Sequence, residues 1–381
     1  MTLLIEDTAR NNLASWTCEG VQHGSIDGAV LSPFTTPRTR NKYKQSGRQT
    51  ADRLRADGLV AHFDAETHAL QMPNVGDFRY YNSWPLWGGA VGDLSTPAAI
   101  RDHVERVFAV QDELGVPHLG PTILLHSPQS AESQTALRLA ETAADLDGNA
   151  ILSLTGDSAF WASRAPLDAH VGALAQIDAA GWSLTVVRQF TVLPVPAMAE
   201  EVHGLCRTAR SLSDYADVHV SHGDLTALPA IAAGAKTLGT GWDPRQRVAA
   251  YASYETRATG SDGGGWFQQV TLEGILSLLT HGEATVLEQQ NAALAARILP
   301  GLVPPGPKEA FFHHVEVLDR VIAGLQIGDH RAAYNNLSTL YGAGTADWPA
   351  VAADANIASR ANAWLSGVSA GLGLYGQTEG F

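Results

Sequence analysis

The stretch DVHVSHGDLTALPAIAAGAKTLGT (residues 217–240) carries the reading of the fold. It opens on a short apolar run, Asp217–His222, that ends in polar residues. A small Leu/Ala helix over Thr226–Ala233 follows, then a turn at Gly234, then a second run, Ala235–Thr240. Runs this short do not make helices. They largely lack polar alternation, so they read as strands covered on both faces, as in a parallel sheet.

Five more such runs precede this unit: Gly28–Thr35, Leu59–Asp64, Pro121–His126, Ala150–Thr155 and Trp182–Arg188. The stretches between them have helical spacing, with Ile100, Val104, Val107, Phe108 and Leu114 on one face. Ser95-Thr96-Pro97 supplies a cap and an early proline, and Gly115 and Gly148 sit where helices stop. Seven strand–helix units predict a (β/α)8 TIM-type barrel with a helical C-terminal extension. The expected eighth strand is Gly265–Val270. An open doubly wound sheet is the alternative, but no GxGxxG follows the first run.

From Thr271 the chain reads as helical: residues 271–298, Lys308–Leu325, 330–342 and 348–370. The Pro/Gly-rich hinge at 299–310 divides a barrel catalytic domain, 1–298, from a helical region, 299–381, that packs on the barrel or on a partner subunit. The apolar AWLSGVSAGLGLYG at 363–376 suits a homo-oligomer interface. Two insertions interrupt the barrel: an aromatic loop within 65–95, and 252–265, which ends in SDGGG and reads as a mobile loop.

Composition sets outer limits. With 45% hydrophobic and 17% charged residues in 381, the chain is globular. A net charge of −14 argues against a broad nucleic-acid or membrane footprint and leaves a small-molecule substrate as the expected partner. Cys18 and Cys206 are too few for a disulfide framework or a four-Cys zinc site. No apolar run is long enough for a membrane helix and the first residues do not form a signal peptide, so a cytoplasmic location is expected. GxSxG, HExxH and Walker A sequences are absent.

Barrel chemistry sits where strands end. The polar residues there are Ser32 and Thr35, His62 and Asp64, His126, Thr155 and Asp157, Arg188 and Gln189, His222 and Asp224, then Trp242, Asp243, Arg245 and Gln246. The expected catalytic groups are Asp157, His222, Asp64 and Asp243, because proton transfer needs carboxylates and an imidazole. Asp157 and Asp224 also suit helix caps. Arg188, Arg245, Gln246 and Trp242 are expected to bind substrate, with Arg245 and Arg247 following two glycines at a corner where barrels often hold anions. Arg38, Arg40, Lys42 and Lys44 form a basic cluster that reads either as an anion contact or as a solvated loop. Phe78, Tyr80, Tyr81, Trp84 and Trp87 crowd one loop, and Tyr81 and Trp84 are candidates to stack on a sugar or base; packing is the competing reading. No cofactor is favoured. A divalent metal is the one candidate, on His62, Asp64, His126 and His222, because H-x-D pairs in a strand share a face. His313-His314 reads as a surface or packing pair.

The segment Asp217–Gly241, about 25 residues, is similar to the late β/α units of tRNA-guanine transglycosylase-type barrels. That family's Cys-x-Cys-x-x-Cys zinc site is missing here, and no family site residues are carried over. The resemblance implies aspartate chemistry at a glycosidic carbon, without the usual tRNA-binding apparatus. Three readings stand: an enzyme for glycosyl transfer or hydrolysis on a small polar, anionic or glycosidic substrate; a metal-dependent hydrolase or lyase; and a non-catalytic barrel with a binding or assembly role.

Overall fold

The computed structural model describes residues 2–7, 13–42, 44–76, 80–255, 268–358, 360 and 362–381. Eight parallel strands form one sheet: β1 (Thr2–Glu6), β2 (Gly28–Leu31), β3 (Val60–Phe63), β4 (Leu124–Leu125), β5 (Ile151–Asp157), β6 (Gly181–Val187), β7 (Asp217–Ser221) and β8 (Thr237–Thr240). Their order is β3-β2-β1-β8-β7-β6-β5-β4. All seven strands expected from the sequence are present.

The missing strand is the first. Leu3-Leu4-Ile5 is an apolar run ended by Glu6 and Asp7, which is the same signature as its neighbours. β1 pairs in parallel with both β2 and β8 and so curls the sheet round on itself. The expected eighth strand is thereby corrected. Its residues 265–267 lie outside the described residues, and Gln269–Leu272 is β9 of a separate antiparallel hairpin with β10 (Ser277–Thr280). Residues 271–280, expected to be helical, are that hairpin and its turn. Leu276 takes a left-handed φ of 47°, which no helix allows.

The one seam without a strand ladder, between β3 and β4, is closed by side chains. Gln111, fully buried, donates from Nε2 to the carbonyls of Phe63 (2.8 Å) and Leu119 (2.9 Å) and accepts from the Leu119 N–H. Gln71 accepts from the Leu124 N–H at 2.8 Å. The result is a (β/α)8 barrel whose bore is lined from every side, by Leu4, Val30, His62, Leu119, Ile151 and His219 among others.

Helix boundaries follow their caps. Thr96 accepts from the Ala99 N–H, Pro97 opens the helix Pro97–Leu114, and Gly115 ends it at φ 66°. The C-terminal extension packs on the barrel. Helix Pro307–Gly324 contributes Phe311 and Val315 to the main core, and helix Ala363–Glu379 contributes Leu365, Val368, Leu372 and Tyr375. Glycines bring that last helix close: a Cβ at Gly367 would lie 1.9 Å from the Ala197 carbonyl oxygen, and one at Gly371 would lie 2.5 Å from Val202 Cβ. The apolar face expected to bind another subunit is therefore spent within the chain. A second core joins the hairpin and residues 284–299 to Trp348, Val351 and Ala352, so it straddles the expected boundary at 298. Among the described residues no helix is long and apolar enough to cross a membrane.

Candidate functional site

The C-terminal ends of β1, β3 and β7 meet over the bore. Each strand runs into a polar residue as it leaves the sheet, and Glu6, Asp64 and His222 converge there. Glu6 is 2% exposed and accepts from the Ser221 hydroxyl (2.7 Å) and the His222 N–H (3.1 Å). His222 Nε2 stands 3.9 Å from the second Glu6 oxygen. Asp64 accepts from the Glu66 N–H at 2.7 Å, and Glu66 accepts from the Tyr254 hydroxyl at 2.9 Å. Asp7 is held by the hydroxyls of Thr35 and Thr36, with Lys44 nearby.

Burial raises all four carboxyls above their ordinary range. Glu66 rises furthest above its ordinary value: burial comes first, and the neighbouring Asp64 charge adds to it. For Glu6 the nearby His222 offsets part of the burial effect. The same burial pushes the histidines down, His62 to about 4, with His219 adding to the effect, and His68 to about 3. Tyr254 is pushed well up by burial and by Glu66. Groups that hold a proton and groups that release one thus share one wall.

His222 is oriented from below. Its Nδ1 lies 2.9 Å from the Gln246 carbonyl, an acceptor, so Nδ1 carries the hydrogen. Gln246 is itself fully buried: Oε1 accepts the N–H groups of Trp242 and Asp243, and Nε2 donates to the Glu6 carbonyl. It is a positioning residue and not the expected substrate contact. Asp243 is occupied as the cap of helix Pro244–Arg247, accepting from the Arg245 N–H at 3.0 Å. Arg245, half-buried, stands on that short helix.

The remaining expected residues are dispersed. Asp157 ends β5, caps the next helix through the Phe160 N–H, and holds His126 Nδ1 at 2.6 Å. Arg188 is paired with buried Glu201. Arg247 pairs with Asp224 at 2.9 Å, and the same carboxylate accepts from Thr240 and lies 2.9 Å from His314 Nε2. Asp224 is therefore a buried ion-pair hub and not the expected helix cap. Burial works to raise it, but Arg247 and His314 together outweigh that and hold it well below the usual carboxylate range. His314, expected on a surface or in packing, sits in this hub with burial lowering it to about 4. Arg38 pairs with Glu113, and Lys44 donates to the Thr35 carbonyl.

Stacking is also corrected. Trp242 packs edge-on against Trp16 and Phe311 at 5.1 and 5.2 Å. Tyr81 is buried against Phe34 and accepts from Trp87 Nε1, while Trp84 lies on Phe63 and donates to the Thr36 carbonyl. These rings form the core of the loop; Phe78 lies outside the described residues, as does the SDGGG segment. His62 and Asp64 share a face of β3 and line the bore together, as their spacing requires, but His126 is held by Asp157. Among the described residues no group of three His, Cys, Asp or Glu side chains is placed to hold a metal ion.

Neither family models nor curated sequences match the chain. Solved structures with a similar path include an L-ribulose 3-epimerase, 12% identical with a TM-score of 0.38, covering 89% of this chain and 98% of that one. A psychrophilic glycoside hydrolase family 10 endo-β-1,4-xylanase is 10% identical at 0.36, covering 62% and 85%. A family 10 xylanase from Thermobacillus composti is 11% identical at 0.35, covering 58% and 67%. No residue role transfers across likenesses this remote.

Proposed function

We propose that the barrel is an enzyme of glycosyl transfer or glycoside hydrolysis, working by proton transfer among Glu6, Asp64, Glu66 and His222. The observation that carries this reading is the meeting of three buried carboxyls with one oriented imidazole at the mouth. Cleaving a glycosidic bond takes one carboxyl that still holds its proton and a second that is ionised. Crowding and burial favour such a split, because Asp64 and Glu66 do not both ionise easily. The ligand is a small polar molecule, and Arg188 and Arg247 are already neutralised by Glu201 and Asp224.

The test is turnover of chromogenic glycosides across pH. A bell-shaped profile is expected, and Asp64→Asn should lower kcat by roughly 10²- to 10⁴-fold. A full-rate Asp64→Asn enzyme would overturn the reading.

A further inference from the structure

Within the glycosyl reading, on which this inference rests, we propose that the mouth selects a ligand bearing a protonated amine, such as an amino sugar. Two separate observations carry it. First, Glu6, Asp64 and Glu66 are held by neutral donors and the half-buried His222: the Ser32, Ser221 and Tyr254 hydroxyls and the N–H groups of His222 and Glu66. Among the described residues no Lys or Arg forms an ion pair with any of the three, although arginines nearby are matched one-to-one with Glu201 and Asp224. The second is His62. The residue is 8% exposed, lines the same bore as Glu6 and Asp64, and has a buried ring Nδ1 with no hydrogen-bond partner.

The bore beside Glu6, His62 and Asp64 has a free volume of about 20 Å³, which suits a water molecule or an ammonium head. A sugar ring therefore remains at the mouth, and only a small polar substituent reaches down. A hydroxyl offers one hydrogen to the two carboxyls that line the bore, Glu6 and Asp64. An ammonium group offers three, together with the positive charge that these carboxyls lack, and charge-assisted bonds are about twice as strong as neutral ones. A phosphate or carboxylate finds no Lys or Arg among the described residues that line the bore.

Calorimetric titration of the full chain with glucosamine, N-acetylglucosamine and glucose tests this at pH 6, in phosphate and in PIPES. Glucosamine is expected to bind at least about tenfold more tightly than either neutral sugar. Its binding heat should differ between the two buffers, because the amine displaces protons from the carboxyls. Asp64→Asn should weaken glucosamine binding by a larger factor than it weakens binding of either neutral sugar, and an equal loss for all three overturns the proposal. His62→Phe tests the bore separately and should also reduce the preference. Equal affinities, no glucosamine binding at millimolar concentration, or buffer-independent heats overturn the proposal. Turnover separates the two ideas: glycosides cleaved with no preference for an amine sink this inference alone, whereas glucosamine binding without cleavage of any glycoside sinks the enzymatic reading.

Discussion

His222 Nδ1 donates to the backbone carbonyl of Gln246 across 2.9 Å, and that bond decides which ring nitrogen faces Glu6. Because the carbonyl accepts, Nε2 is left as the base of a neutral imidazole. Gln246→Ala should leave the buried N–H groups of Trp242 and Asp243 unpaired, at about 1–3 kcal/mol each. Urea unfolding should show the loss. Glycoside turnover should fall less than in Asp64→Asn, because the backbone carbonyl that holds His222 survives the substitution.

Removing one partner of the buried hub should be costly. Arg247→Met leaves the Asp224 charge with only His314 and Thr240, and about 3–5 kcal/mol of stability should disappear. Combining it with Asp224→Leu should return part of that loss. A double-mutant cycle by denaturation would contradict this if the effects were additive.

Acid should act through the buried histidines. His103 lies between the Thr67 hydroxyl and the Leu86 carbonyl, and burial lowers it to about 4. With the folded value below the ordinary 6.5, the unfolded chain takes up the proton first. Stability is therefore lost as pH falls from 6.5 towards 4, by about 3 kcal/mol from this residue. His103→Gln should flatten that slope, measured as urea midpoints at pH 7 and pH 5.

The carboxyls act in the opposite sense. Glu66 is raised, so the folded state keeps its proton longer than the unfolded chain does, and its contribution worsens as pH rises through and above the ordinary carboxylate range. Glu66→Gln should thus stabilise the protein by about 1 kcal/mol or more at pH 8 while giving little benefit at pH 4. Thermal midpoints at the two pH values decide it.

The last helix is seated by glycines. Gly371→Val places methyl groups where Val202 and the Ala199 carbonyl already lie, and should cost about 1–3 kcal/mol or more. Limited proteolysis should then cut near the start of the Ala363–Glu379 helix faster than in the parent protein.

The barrel was legible because parallel strands buried on both faces leave continuous apolar runs, and Asp217–Ser221 and Thr237–Thr240 do so plainly. β1 obeys the same rule, but its five residues are followed by a helix of only eight, Leu13–Gly20, which frames the unit weakly. The rule that strand ends face the barrel mouth placed Asp64 and His222 at that mouth and missed Glu6 with β1. Glu66 comes from a loop and Tyr254 from a single helical turn, Tyr251–Tyr254, and neither is long enough for periodicity to mark a residue. Gln246, Trp242, Tyr81 and Trp84 look like ligand contacts in sequence because amides and aromatics serve substrate binding and internal bonding equally. Only their partners distinguish the two.

The position of β1 has a consequence for biosynthesis. Thr2 pairs with Thr237 and Leu4 with Gly239, so the strand carrying Glu6 waits with one edge unpaired until β8 has left the ribosome. Loop closure over such a sequence separation is slow, and a nascent chain that has folded its middle units still lacks the Glu6–Ser221 contact. Ligand binding at the mouth would therefore report completion of the whole ring, and chaperone dependence should concentrate in the interval before it closes.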